Sequence, residues 1–257
     1  MVFPKVSSHL IFLLIFGNTI CVDRYTVRIS NGREIEIFEA PYQAILTSHL
    51  LTGKFLTCGA SIISRKTFLT AAHCVPQRKK YHKIQITIGS DSRGVGHKFS
   101  VSTLFAHSRY RNFHDYDIAM GYFDQPLVFN AKVQPIQWLT NRNLPKGGDI
   151  AYVTGFGVTE DHPKVVSKKL RRVKVRILSS SECAEIMENF HGKRQICGKQ
   201  PYRYGGNSCK GDSGGPVVVN GLLAGLVSWG FICGGRGPAA YTRVSAFNDW
   251  IVQNIRK

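Results

Sequence analysis

The 257-residue chain contains no apolar run long enough to cross a bilayer as a helix. Its longest, Leu10-Ile11-Phe12-Leu13-Leu14-Ile15-Phe16, has seven residues, against the roughly 20 that a spanning helix requires. Internal repeats and low-complexity segments are also missing, so the chain reads as one or two compact units. Helical periodicity is scarce. Only the closing segment sets Phe247, Trp250, Ile251 and Ile255 on one face, which argues against a helix-rich class. Acidic residues are few, 16 against 34 Lys and Arg, for a net charge of +18. Such a field favours polyanions, acidic partners or anionic membranes and carries no information about fold.

What is present begins with Lys5, the short apolar run, then Gly17-Asn18-Thr19-Ile20-Cys21. A positive start, a short apolar core and small residues at Thr19 and Cys21 read as a secretory signal over 1–21. The expectation is a secreted, extracellular protein without a transmembrane anchor. Seven cysteines become six once Cys21 leaves with the signal: Cys58, Cys74, Cys183, Cys197, Cys209 and Cys233. An even set in an oxidising compartment suggests three disulfides, whose pairing spacing alone leaves open. Arg28, before the apolar Ile29 and a turn, is a candidate processing site after an activation peptide of residues 22–28. Lys5, Asp23, Arg24 and Arg28 account for +2 of the charge, which leaves +16 on residues 29–257.

With 43% hydrophobic residues the chain can bury a sizeable core. Short strand-like runs recur at 40–46, 55–63, 67–70, 84–88, 118–123, 151–154, 173–178, 216–219 and 222–229, punctuated by Gly, Pro and Asn. This spacing indicates an all-β sandwich or barrel. Three stretches carry polar residues suited to chemistry. His73 lies among small residues in Thr70-Ala71-Ala72-His73-Cys74, and Asp117 enters the apolar Ile118-Ala119-Met120. Ser213 sits in Ser208-Cys209-Lys210-Gly211-Asp212-Ser213-Gly214-Gly215-Pro216, a glycine-rich turn that exposes a hydroxyl and backbone amides. Singly, each has a plain reading: one of nine histidines, an acid at a strand start, a surface turn.

Together, in the order His, Asp, Ser, they resemble the chymotrypsin/trypsin family of serine endopeptidases. The resemblance extends over residues 29–257 through Pro41-Tyr42-Gln43, Ser228-Trp229-Gly230, Tyr241-Thr242-Arg243-Val244 and Trp250-Ile251. It implies two six-stranded antiparallel Greek-key β-barrels, roughly 29–134 and 135–257, a C-terminal helix, and an active site in the cleft between the barrels. A serine hydroxyl is a weak nucleophile, so an imidazole must take its proton and later deliver it to the leaving amine. A buried carboxylate fixes that imidazole's tautomer. By resemblance Ser213 is the nucleophile, His73 the general base and Asp117 its orienter. The N–H groups of Gly211 and Ser213 form the oxyanion hole.

The resemblance also implies a zymogen. A trypsin-like protease cuts after Arg28, and the new α-amino group of Ile29 pairs with Asp212. Ile29-Ser30-Asn31-Gly32 departs from the commoner Ile-Val-Gly-Gly but keeps its first and fourth residues. Family pairing makes the disulfides Cys58–Cys74, Cys183–Cys197 and Cys209–Cys233. The specificity pocket maps to Asn207, Ser208, Ser228, Trp229, Gly230 and Ala239. Trypsins carry aspartate where this chain has Asn207, so cleavage after large apolar residues is expected. Elastase-like or trypsin-like specificity, and a catalytically silent relative that binds polyanion or protein, are the rivals.

No cofactor or metal is expected. The loop Gly89-Ser90-Asp91-Ser92-Arg93-Gly94 offers one acid beside a cation, too few oxygens for calcium, and Asn112-Phe113-His114-Asp115 reads as loop surface. The densest charge run is Lys168-Lys169-Leu170-Arg171-Arg172-Val173-Lys174-Val175-Arg176-Ile177, where strand geometry sets Arg172, Lys174 and Arg176 on one face. Arg78-Lys79-Lys80 with Lys83 forms a second cluster. Each alone reads as a solvated barrel face. With the overall charge, a surface for sulfated glycan or another polyanion becomes a reading to test, and specific nucleic-acid recognition is not expected. The expected partners are protein or peptide substrates and the activator, with the chain itself a monomer.

Overall fold

The computed structural model describes residues 32–76, 81–111, 115–161, 164–201, 208–230 and 237–257. The apolar runs become strands because alternate residues can reach a shared interior, and the chain uses them to close two barrels. After the short β1 (Arg33–Glu34) come β2 (Gln43–Leu50), β3 (Phe55–Ile62), β4 (Thr67–Thr70), β5 (Tyr81–Ile88), β6 (His97–Ala106) and β7 (Ala119–Phe123). Strands β2 to β7 close an antiparallel barrel in the order β2-β3-β4-β7-β6-β5.

The second half contributes β8 (Ile150–Gly155), a hairpin of β9 (Val158–Asp161) and β10 (Lys164–Val166), then β11 (Arg171–Ile177). Next come helix α1 (Ser180–Ile186), β12 (Gln195–Lys199), β13 (Pro216–Val219), β14 (Leu222–Gly230), β15 (Ala239–Arg243) and helix α2 (Asn248–Asn254). The sheet order is β1-β11-β12-β15-β14-β13-β8, and β11 pairs again with β8, so six strands form a second closed ring. Strand β1 lies on the second barrel's sheet, its Arg33 and Glu34 opposite Arg172 and Arg171.

Each barrel has its own core, and a third cluster joins them. Leu69, Ile118 and Met120 from the first barrel pack with Val218, Leu223 and Leu226 from the second, capped by Phe247 and Ile251. Truncating such fully buried residues costs about 2–5 kcal/mol, so this seam fixes one barrel against the other. The expected face of the closing helix is observed: Phe247 and Ile251 are buried, with Trp250 and Ile255 packed against the same cluster.

Helix α1 is an addition to the sequence reading. Its seven residues bury only Cys183, so no apolar stripe announces it, yet Ser179 and Glu182 form a capping box that starts it. Strand β6 also lacks an apolar run, and most of its residues are half-buried or exposed. Disulfides Cys58–Cys74 and Cys183–Cys197 are present. Cys209 is disulfide-bonded as well; the expected partner Cys233 lies outside the described residues, as do Arg28, Ile29, Arg78-Lys79-Lys80, 112–114 and Asn207.

Candidate active site

His73 occupies a single 3-10 turn, Ala72–Cys74, directly after β4. The buried Ala71 and Ala72 let the chain turn against the core, and the Cys58–Cys74 bridge ties the turn to β3. Asp117 lies two residues before β7, is 2% exposed, and meets His73 at two points. Its Oδ1 accepts the His73 backbone N–H at 2.9 Å, and its Oδ2 faces His73 Nδ1 at 2.8 Å. The same Oδ2 accepts the Ser228 hydroxyl at 2.6 Å, while the Thr242 hydroxyl donates to the Asp117 carbonyl at 2.6 Å. A carboxylate taking three hydrogen bonds needs Nδ1 as the donor. That tautomer leaves Nε2 as the basic nitrogen.

The glycine-rich turn is drawn to His73 from the other barrel. The Ser213 carbonyl accepts the Gly59 N–H at 2.7 Å and lies 3.7 Å from Cys74 Sγ, the residue after His73. Gly214 and Gly215 donate to Val227 and Asp212 carbonyls at 2.7 and 2.8 Å. At Gly214, with φ of +76°, a Cβ would stand 2.1 Å from Thr70 Oγ1, so only glycine fits there. Gly211 is also left-handed, at φ +98°. Among the described residues, neither the N–H of Gly211 nor that of Ser213 has an acceptor, which leaves two backbone donors open beside the serine.

Asp212 points away from this face into the protein and is 1% exposed. It accepts the Gly157 N–H at 2.8 Å and the Cys209 N–H at 3.0 Å. Burial pushes its carboxyl up to about 6, offset in part by those two bonds and by the charge of Arg93. Gly155 and Gly157 were missed as site residues by sequence reasoning. A Cβ on either would stand 2.1 or 2.4 Å from the Asp212 carboxylate. Their only sequence signal was Gly155-Phe156-Gly157 at the end of a strand run.

Of the expected pocket residues, Ser208 hydrogen-bonds the buried Tyr241 hydroxyl, whose proton burial holds well above the usual phenol range. Gly230 and Ala239 face each other across β14 and β15, and a Cβ on Gly230 would stand 3.4 Å from that of Ala239. Trp229 is half-buried beside them. Ser228, expected in the pocket wall, spends its hydroxyl on Asp117.

Elsewhere, Asp91 is taken by Lys169 Nζ at 3.0 Å and the Ser92 hydroxyl at 2.9 Å, and the Lys169 bond holds it below the usual carboxylate range. Cys58, His73 and Cys74 cluster within 4.8 Å, but the two sulfurs are bonded to each other and offer no thiolate. On β11, Arg172, Lys174 and Arg176 do alternate with buried Val173, Val175 and Ile177. Arg172 is nevertheless paired with Glu39 at 3.3 Å and lies over the Tyr152 ring, and Arg171 is buried against Glu34 at 2.8 Å.

Comparisons with known proteins give the family and the fold. The Trypsin family model matches residues 29–251. A vitellin-degrading protease of Bombyx mori is 36% identical over 239 residues, covering 89% of this chain and 86% of the relative. Trypsin-2 of Salmo salar is 33% identical, covering 89% of this chain and 95% of its own length. Among solved structures, neuropsin, a serine protease of mouse brain, superposes with a TM-score of 0.77 at 27% identity, over 88% of this chain and 99% of that one. With two six-stranded barrels joined across a histidine, an aspartate and a serine-bearing turn, the chain belongs to the trypsin family of serine endopeptidases.

Proposed function

We propose that the protein is a secreted endopeptidase, made as a zymogen, in which Ser213, His73 and Asp117 act as nucleophile, general base and orienter. The two-point contact of Asp117 with His73 carries this reading, because it sets both the direction and the tautomer of the imidazole. Ser213 Oγ attacks the scissile carbonyl and passes its proton to His73 Nε2. The oxyanion takes the Gly211 and Ser213 N–H groups, the protonated imidazole gives its proton to the leaving amine, and water repeats the sequence on the acyl-enzyme. One such donor contributes about 3–4 kcal/mol to the transition state.

Activation runs through Asp212. Its buried carboxyl, raised to about 6, lacks a full counter-charge among the described residues. Cleavage after Arg28 by a trypsin-like protease supplies the Ile29 ammonium, and the protein then works as a monomer. For specificity, Asn207 in place of an acid and an entrance kept open by Gly230 favour large apolar residues before the cut, in a pocket that Ala239 narrows slightly. Relatives named trypsins favour a second reading, cleavage after Lys or Arg. Profiling the Arg28-cleaved protein on a peptide library separates the two. Apolar preference that shifts toward Lys and Arg in Asn207→Asp supports the first; basic preference in the parent protein refutes it.

A further inference from the structure

A buried arginine without an acid marks a place that catalysis does not use. Arg243, at the end of β15, is 8% exposed. Its Nη1 donates to the Arg142 and Leu144 carbonyls at 3.3 and 3.2 Å, and its Nε has no partner. Burial alone pulls this guanidinium below its usual range, with no carboxylate to restore it. A buried charge is expensive unless something of opposite sign answers it.

Arg243 lines a cavity of about 520 Å³, together with the exposed Arg142, Lys146 and Lys193 and with Ser179 and Ser180. No Asp or Glu is among its described lining residues, and no aromatic ring. A second cavity, of about 360 Å³, shares Arg142 and Lys193 and adds Arg109 and Arg194. Arg194 is held by Asp115 at 2.5 and 2.7 Å, and Arg109 lies over the Tyr116 ring at 4.8 Å. Asp249 touches Arg142 at 3.4 Å, with both side chains mostly exposed, a pairing worth little. Asp149 accepts the Lys146 backbone N–H.

We infer that these two cavities, which share Arg142 and Lys193, bind a sulfated polysaccharide, one sulfate against Arg243, Arg142, Lys146 and Lys193 and the chain continuing past Arg109. The volume suits a saccharide unit, and hydroxyls of Ser179 and Ser180 supply polar contacts for its ring. The cavity below Arg243, where the sulfate sits, has no aromatic ring on which a nucleic-acid base could stack; in the second, lined also by Phe247 and Trp250, the Tyr116 ring is already taken by Arg109 and Arg194. The density of charge on a sulfated sugar matches four cations around one cavity better than the single carboxylates of an acidic peptide. This replaces the β11 stripe as the anion surface, since two arginines of that run are already paired. It stands independently of the catalytic reading.

The test uses the full-length protein on immobilised heparin across a salt series. The exposed trio Arg142→Ser/Lys146→Ser/Lys193→Ser is compared with Lys174→Ser/Arg176→Ser on β11. Each cation removed from a sulfate contact lowers the slope of log affinity against log salt by about 0.7–0.9, so the cavity variant should lose roughly 2–3 in slope and elute early. The β11 variant should elute close to the parent, and hydrolysis of a small peptide should be equal in all three. Equal retention of the cavity variant and the parent overturns the proposal, as does a larger loss in the β11 variant. Poly-glutamate or single-stranded DNA competing as well as heparin at equal charge overturns the sulfated class. Inorganic sulfate displacing heparin at matched sulfate concentration overturns the polysaccharide in favour of a free oxyanion.

Discussion

Replacing Asp212 by asparagine in the uncut chain should change how stability depends on pH, by an amount the structure sets. Burial raises the Asp212 carboxyl from 3.8 to about 6. Between those values the folded chain holds a proton that the unfolded chain has lost, so stability falls as pH rises through this window. The loss is complete above the folded value. The gap corresponds to about 3 kcal/mol. Asparagine cannot ionise and escapes the loss. Its Nδ2, set against a backbone N–H, adds an offset that is constant with pH. Urea unfolding of parent and variant from pH 3.5 to 7.5 gives the difference curve, in which the other carboxylates cancel. The variant should gain about 3 kcal/mol on the parent across that range. A flat difference would refute the claim that Asp212 is buried without a full counter-charge before cleavage.

Asp117→Asn should keep the fold and lower kcat by about 10⁴, since an amide facing Nδ1 favours the wrong tautomer; circular dichroism and peptide hydrolysis read the two effects. Gly155→Ala should destabilise the chain by more than about 2 kcal/mol and remove activity, because its Cβ would stand 2.1 Å from Asp212 Oδ1; thermal unfolding and hydrolysis check it. Cys58→Ser/Cys74→Ser opens a loop of 16 residues, for a loss of about 3 kcal/mol by denaturant titration.

The barrels were legible because their strands are short apolar runs with turn residues between them, as at Thr67–Thr70 and Leu222–Gly230. Strand β6 was not, because its half-exposed residues carry no such run. Helix α1 was not, because its support is a cap and not a stripe. At the site, His73, Asp117 and Ser213 were legible through their order and flanking motifs, which resemble the family's, while each residue alone had a plain reading. The supports are contacts between distant segments. The Ser228 hydroxyl on Asp117 and the glycines that make room for Asp212 are visible only once the strands are side by side. The cavity below Arg243 is of the same kind, since Arg142, Lys146, Lys193 and Arg243 are dispersed along the chain and never form a basic run.

The central claim, that Ser213 is a nucleophile activated by His73 once the chain is cut after Arg28, is tested most directly by a serine-directed fluorophosphonate. The cleaved protein should take up one label at Ser213. Ser213→Ala should take up none, and His73→Ala and the uncut chain should label far more slowly. A cleaved, folded protein that fails to label, or labels equally without His73, would contradict it.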